Sequence, residues 1–104
     1  MIIPKPRRIK SESYRRWVAT HACFDCGIEG YSQAAHPNGA GGATKASDLE
    51  CFPLCCTRPG ILGCHAVHDR LIGITLTERR EREAAYVARM QSVARAAGRP
   101  EIAA

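Results

Sequence analysis

Residues 64–69 read CHAVHD, and this hexapeptide joins two kinds of metal ligand. Cys64 is a soft thiol of the kind that holds structural zinc, whereas the imidazoles and the carboxylate after it suit a harder divalent ion. His65 and Asp69 are four residues apart, so on a helix they share one face and can bind the same ion. His68 shares that face less closely, and it either binds the ion or orients a neighbouring ligand.

A second set of soft ligands precedes this segment. Cys23 and Cys26, in CFDC, have the spacing at which a tight turn directs both sulfurs at one tetrahedral ion. The remaining cysteines supply the other candidate ligands: Cys51, Cys55, Cys56 and Cys64. We favour Cys55 and Cys64, because the first would end a strand and the second would begin a helix, so that zinc would clamp the two elements together. The other two are then spare thiols buried as small apolar side chains, although Cys56 could replace Cys55.

His36 and Asp48 complete the harder set of ligands. His36 is expected at the end of a strand opposite the helix, where a neutral imidazole could take a proton from water. The glycine-rich loop GAGGATKASD separates the two residues; Lys45 in this loop could contact a phosphate, and Asp48 could tie the loop down through backbone N–H groups. A divalent ion with open coordination positions polarises a phosphoryl oxygen, so these residues are the parts of a phosphodiesterase site.

Length and composition favour a metal-stapled domain that meets a polyanion. A chain of 104 residues with six aromatic side chains buries a small core, and a staple then adds stability. No signal-peptide pattern or membrane span is predicted, so we expect a cytoplasmic protein in which clustered cysteines bind metal rather than form disulfides. The formal charge of +5, carried mainly by arginine, suits a DNA partner without requiring one.

Turn residues and periodicity predict one α+β domain with two short strands, around residues 31–36 and 49–54, and a short helix from Cys64 to about Ile72. The predicted parts of residues 1–104 are a basic arm (1–10), a helix (11–20), a metal-binding middle (23–72) and a C-terminal helix (75–97).

The C-terminal helix is the clearest predicted element. Thr75 and Glu78 match a capping box at its start, and Gly98 and Pro100 stop it. Its apolar positions form one stripe that should face the core: Leu76, Ala84, Val87, Met90, Val93 and Ala97.

Taken in order, CFDC, AAH, GAGGATKASD, FPLC and GCHAVHD resemble the HNH, or ββα-metal, endonucleases. The resemblance covers about residues 14–72 and is strongest to small phage and prophage proteins, including the recombination-associated branch. It implies a small zinc-stapled ββα-metal domain, in which a β-hairpin and a helix grip one divalent ion, with flanking N- and C-terminal helices. Members of the family nick or cut DNA with magnesium, manganese or another divalent ion.

The resemblance also implies a role for each site residue. His36 would be the general base, and Asp48 would hold the loop and orient that base. His65 would bind the catalytic ion, with Asp69 as a ligand one turn later. The zinc knuckle would consist of Cys23, Cys26, Cys55 and Cys64.

Two positions depart from the family pattern. Ala35 precedes His36 where many members carry an Asp or His ligand, so that ligand is missing or His36 itself fills the role. The segment from Cys55 to Cys64 exceeds the usual two-residue spacing, and Arg58 within it could contact DNA.

The sequence therefore predicts a divalent-metal-dependent DNA endonuclease with a structural zinc, of low sequence specificity or dependent on phage recombination or packaging proteins. The predicted DNA contacts are Arg15, Arg16, Lys45, Arg58 and Arg70. The alternative is a zinc-stapled DNA-binding module, accessory to recombination, in which catalysis is weak or lost. A disulfide-rich secreted peptide is disfavoured.

Overall fold

The computed structural model describes residues 9–37 and 47–102. Most of the predicted basic arm and the loop that contains Lys45 lie outside these ranges. Within them no helix is both long and apolar enough to cross a membrane. The elements in chain order are α1 (Glu12–Ala19), β1 (Ser32–Ala35), a 3-10 turn (Asp48–Glu50), β2 (Phe52–Cys55), α2 (Cys64–Asp69) and α3 (Leu76–Ala96). The predicted α+β class is confirmed.

The two strands form one antiparallel pair. Ser32 lies opposite Cys55 and Ala35 opposite Phe52, so the end of β1 meets the start of β2. Every residue of β2 is buried. Phe52 and Leu54 lie on one face of the strand and Pro53 and Cys55 on the other, and both faces are covered. The strand β2 contacts all three helices, so it lies at the centre of the described fold.

Helix α1 begins where the sequence predicts. The Ser11 hydroxyl accepts a hydrogen bond from the Tyr14 N–H over 3.3 Å and caps the helix. Tyr14 and Val18 are one turn apart and fully buried. They cover the sheet, and the helix contacts both strands.

Helix α2 is shorter than predicted. It ends at Asp69 instead of near Ile72, because Leu71 has a φ of 55° and leaves the helical conformation. An irregular turn therefore takes the place of the last predicted residues of this helix.

Helix α3 has the predicted capping box, but its buried stripe differs from the predicted one. Met90 is buried and Val87 and Val93 are partly buried, whereas the other predicted stripe positions are exposed: Leu76, Ala84 and Ala97. The buried face begins instead at Glu83 and continues through Met90 and Ala94. The apolar pattern missed this face because its first member is an acid.

Candidate functional site

Four cysteines converge from three parts of the chain, with all four sulfurs within 4.8 Å of one another. Cys23 and Cys26 lie on a tight turn, closed by a 2.9 Å hydrogen bond from the Gly27 N–H to the Cys23 carbonyl. Gly27 has a φ of 79°, which a glycine adopts without strain. Cys55 ends β2 and Cys64 begins α2. The predicted four-cysteine cluster is confirmed.

The geometry of the cluster suits a tetrahedral ion. The sulfurs of Cys26 and Cys55 are 3.7 Å apart. Two thiolates bound to one zinc at about 2.3 Å in a tetrahedron would be about 3.8 Å apart. The backbone N–H of Cys64 also donates to the Cys55 sulfur over 3.3 Å, which helps to hold a thiolate there. Four sulfurs without a water position form a closed set, so the cluster could hold a structural zinc.

The protonation of these thiols is uneven. Burial by itself would raise the pKa of Cys23, but hydrogen bonds from the backbone of Cys26, Cys55 and Asp25 outweigh it and lower the pKa to about 7. Burial and the neighbouring thiols raise the pKa of Cys64 far above its ordinary value. The four sulfurs are too crowded to ionise together without a cation, so a bound metal ion would relieve the repulsion.

The two remaining cysteines lie outside the cluster. Cys51 is fully buried in the core, and burial raises its pKa to about 12. Cys56 is half-buried and points to a neighbouring cleft. Cys55 therefore takes the ligand position that the sequence had left open between it and Cys56.

A cleft of about 360 Å³ lies next to the cluster along α2. Cys64 faces the sulfurs, while the next residue, His65, faces the cleft, because consecutive helical side chains point in different directions. The described residues that line the cleft are Gln33, Cys56, Thr57, His65, Ala66, Asp69 and Arg70.

The ring of His65 is held at both nitrogens. Its Nδ1 lies 2.9 Å from Gln33 Oε1, so it donates its hydrogen to that amide oxygen. Its Nε2 lies 3.3 Å from Asp69 Oδ2. In the neutral ring Nε2 is then an acceptor that faces another acceptor. In this tautomer the imidazole nitrogen and the carboxylate oxygen both present lone pairs to the cleft, so the two atoms could bind one metal ion.

His36 and Asp48 form a second pair, at the far end of β1. His36 Nε2 lies 2.9 Å from Asp48 Oδ1, and the ring is about one-third exposed. The other carboxylate oxygen accepts from the Ser11 N–H and from Arg15 Nη1, each over 2.6 Å. Burial by itself would raise the pKa of Asp48, but Ser11, His36 and Arg15 outweigh it and lower the pKa.

His68 is not in the cleft. It is 3% exposed, its Nε2 lies 3.0 Å from Glu83 Oε2, and its ring meets Phe52 edge-on. The side chain thus joins α2 to α3 within the core. The prediction that His68 binds the catalytic ion is not supported by this position, because a core imidazole bonded to an acid does not face the cleft.

The predicted DNA contacts fall in different environments. Arg70 is exposed at the cleft, and Arg16 is exposed in an ion pair with Glu12. Arg58 lies 4.5 Å above the centre of the Tyr31 ring, with its Nη2 4.0 Å from the Cys55 sulfur, so it is held against the cluster. Arg15 is held by Asp48. Lys45 is outside the described residues.

Comparison with known proteins places the chain in a family. Residues 1–68 match the family described as "Protein of unknown function (DUF968)". The chain belongs to the DUF968 family. The matched part of this DUF968 chain includes both strands, all four clustered cysteines, His36, Asp48 and His65.

A relative of this DUF968 chain is the uncharacterized protein YdfU of Escherichia coli (strain K12), which is 43% identical over 58 residues. The match covers 53% of the DUF968 chain and 16% of YdfU, so the chain spans only a small part of that relative. No solved structure gives a significant match.

Two residues of the DUF968 chain were missed by sequence reasoning. Gln33 orients His65, and its signal was its place on the same face of β1 as the buried Ala35, two residues later. Glu83 holds His68, and its signal was its spacing from Met90 and Ala94, seven and eleven residues later on one helical face.

Proposed function

We propose that this chain is a divalent-metal-dependent DNA endonuclease of the ββα-metal (HNH) type, with zinc in its four-cysteine cluster. The contact between His65 Nε2 and Asp69 Oδ2, 3.3 Å apart in an open cleft, carries the proposal. Two ligands of one octahedral ion at about 2.1 Å lie about 3 Å apart, close to this spacing. Gln33 supplies the outer hydrogen bond that fixes the orientation of a ligating histidine.

The order and direction of the elements support this proposal. A hairpin of β1 and β2 is followed by α2, as a ββα-metal domain requires. Helix α2 begins beside Cys55, and its last turn lies against Phe52, which is paired with Ala35 next to His36. Helix α2 therefore runs along the hairpin from its Cys55 end toward its Phe52 end, and His36 is not among the residues that line the cleft.

The proposed chemistry is hydrolysis of a phosphodiester: water forms a new bond to phosphorus, the bond to one sugar oxygen breaks, and that oxygen leaves and takes up a proton from solvent. When bound at His65 and Asp69, a magnesium or manganese ion supplies a Lewis acid for a phosphoryl oxygen. His36 takes the proton of the attacking water at Nδ1, because its Nε2–H is engaged by Asp48. Asp48 keeps the ring in that tautomer, and Arg70 at the cleft attracts the phosphate backbone.

The same proposal includes DNA as the substrate, the bacterial cytoplasm as the location, and a phage recombination or packaging protein as a partner. They follow from the HNH resemblance of the motifs, and the net charge of +5 is consistent with the first of them.

The direct test is nicking of supercoiled plasmid by zinc-loaded protein, with magnesium or manganese added. We expect His65→Ala and His36→Ala each to slow nicking by about a hundredfold or more, since general-base catalysis alone contributes on this scale. His21→Ala is the matched control, because His21 bonds the backbone at the end of α1 and does not line the cleft. Zinc content should remain near one per chain in all variants.

The second candidate function is a zinc-stapled DNA-binding module without catalysis. Ala35 favours it, because this residue is fully buried and contributes no ligand where the family pattern has one. Binding of duplex DNA without nicking in any divalent metal would select this candidate, whereas metal-dependent nicking that is lost in His65→Ala would reject it.

A further inference from the structure

The segment between β2 and α2 is a loop. Its two ends meet at Thr57 and Gly63, which we call the neck. The Thr57 hydroxyl accepts a hydrogen bond from the Gly63 N–H over 3.0 Å. Any side chain on Gly63 would meet the Cys56 backbone, since its first carbon would lie 2.3 Å from the Cys56 carbonyl carbon. The backbone at the neck is therefore held in place, and Thr57 at the neck is also a residue of the cleft.

The tip of this loop is also fixed. Arg58 and Ile61 exchange two backbone hydrogen bonds of 2.9 Å around Pro59 and Gly60. Proline has a restricted φ, and Gly60 adopts a φ of 77° that suits the third position of a type II turn. The two hydrogen bonds and the turn hold the backbone of residues 58–61 in one conformation.

The tip displays apolar side chains to solvent. Ile61 and Leu62 are consecutive, and they are 53% and 43% exposed. Tyr31, whose ring lies under the Arg58 guanidinium, is also exposed. A single exposed aliphatic side chain is ordinary, but two in a loop that is closed at both its tip and its neck, beside a candidate site, suggest a contact surface.

We propose that Ile61 and Leu62 form a wedge that enters a base step in the minor groove of duplex DNA bound at the cleft. This inference rests on the proposed function. Minor-groove proteins insert aliphatic side chains between base pairs and kink the duplex, and a wedge that must separate stacked bases needs a stiff support. Thr57 at the neck lines the same cleft as Arg70, so DNA held at the cleft also reaches the tip.

Duplex DNA fits this surface better than a protein partner does. A stable protein interface buries roughly 800 Å² on each partner, far more than two aliphatic side chains provide. The chain is basic overall, and Arg70 stands at the adjacent cleft. A small apolar tip beside positive charge matches a groove bordered by phosphates.

The test compares the double variant I61S/L62S with I72S/L76S in the full, zinc-loaded chain. Ile72 and Leu76 are 46% and 43% exposed and lie beyond the opposite end of α2, so they match the wedge in chemistry and exposure. The probe is a 30-base-pair A·T-rich duplex with donor and acceptor dyes at its ends, without magnesium or manganese. Anisotropy reports the Kd, and energy transfer reports bending.

We expect wild type and I72S/L76S to bind within about twofold of each other and to bend the duplex. I61S/L62S should bind about tenfold more weakly and leave the duplex unbent, since the burial of two aliphatic side chains is lost. Equal binding and bending by I61S/L62S would overturn the wedge. The wedge would also be overturned if I61S/L62S bound the duplex with an unchanged Kd but changed from a dimer to a monomer. That result would assign the tip to contact between copies of the chain.

The same samples separate the wedge from the proposed nuclease. Wild type that nicks plasmid with magnesium or manganese but leaves the dye-labelled duplex unbent would reject the wedge and keep the nuclease. Wild type that neither binds DNA nor nicks it in any metal would reject both. Bending that depends on Ile61 and Leu62, without nicking, would support the wedge in the binding module.

Discussion

The four-cysteine cluster and the His65–Asp69 cleft share helix α2 but differ in how they are closed. The cluster draws four sulfurs from a turn, a strand end and a helix start, which leaves no ligand position for water. The cleft brings together one imidazole and one carboxylate in an open space of about 360 Å³. A closed set of ligands suits a structural ion, whereas an open pair leaves positions for water and phosphate.

The two regions also differ in how strongly a substitution in each should destabilise the protein. The cluster connects the knuckle turn, β2 and α2, so its ion would stabilise the fold. His65 and Asp69 are partly exposed, and neither is in the buried core. Substitutions in the first region should therefore lower stability. Substitutions in the second should leave stability nearly unchanged and reduce the proposed nicking activity.

The largest expected effect is the loss of a cluster ligand. Cys55→Ser should release the zinc and lower the free energy of unfolding by several kcal/mol, because metal binding in small zinc modules is worth on the order of 10 kcal/mol. Cys56→Ser is the matched control, since Cys56 is the next residue and lies outside the cluster. Metal analysis and thermal unfolding are the measurements. Equal zinc content in the two variants would contradict the assignment of Cys55.

The second effect separates two histidines of one helix. His68→Ala should cost about 3–5 kcal/mol, because it removes the buried imidazole that bonds the Glu83 carboxylate. His65→Ala should change stability by less than about 1 kcal/mol, because the side chain is partly exposed. Urea unfolding of both variants gives the comparison. The contrast between core and cleft breaks down if His65→Ala is the less stable protein.

The third effect is a pH dependence at Asp48, whose folded-state pKa is lowered. In the window between the folded pKa and the unfolded value near 4, the unfolded chain binds more protons, so stability rises with pH. Asp48→Asn should cost about 2 kcal/mol at neutral pH, and this difference should shrink as the pH falls through the folded-state pKa.

The control for this measurement is Asp25→Asn, because Asp25 is exposed and lies 3.8 Å from Arg82. We expect a cost below about 0.5 kcal/mol there. Unfolding free energies at pH 3 to 7 give both curves. A difference between wild type and Asp48→Asn that stays constant across this range would contradict the lowered pKa.

The same contrast explains what the sequence could predict. Cysteine spacing and strand ends were sufficient for the cluster, because a tetrahedral ion demands a ligand set that few arrangements satisfy. The helix cap at Thr75 was equally readable, since it is a local contact. Tertiary contacts could not be predicted in this way. The Glu83 partner of His68 is fifteen residues away, and nothing local distinguishes a buried histidine from a ligating one.

The smallest expected effect compares two adjacent arginines, both predicted as DNA contacts. Arg16 is 79% exposed and pairs with Glu12 one turn away, so Arg16→Ala should cost less than about 0.5 kcal/mol. Arg15 holds the buried Asp48 carboxylate, so Arg15→Ala should cost about 1 kcal/mol and loosen the support of His36. If Arg16 contacts a phosphate, its removal should lower the salt dependence of DNA binding by about one ion. Under the proposed nuclease function, Arg15→Ala should slow nicking more than it weakens DNA binding. Fluorescence anisotropy at several salt concentrations, beside thermal unfolding, tests both statements. Identical stability losses for the two variants would mean that the Arg15–Asp48 ion pair stabilises the protein no more than the exposed Arg16–Glu12 pair does.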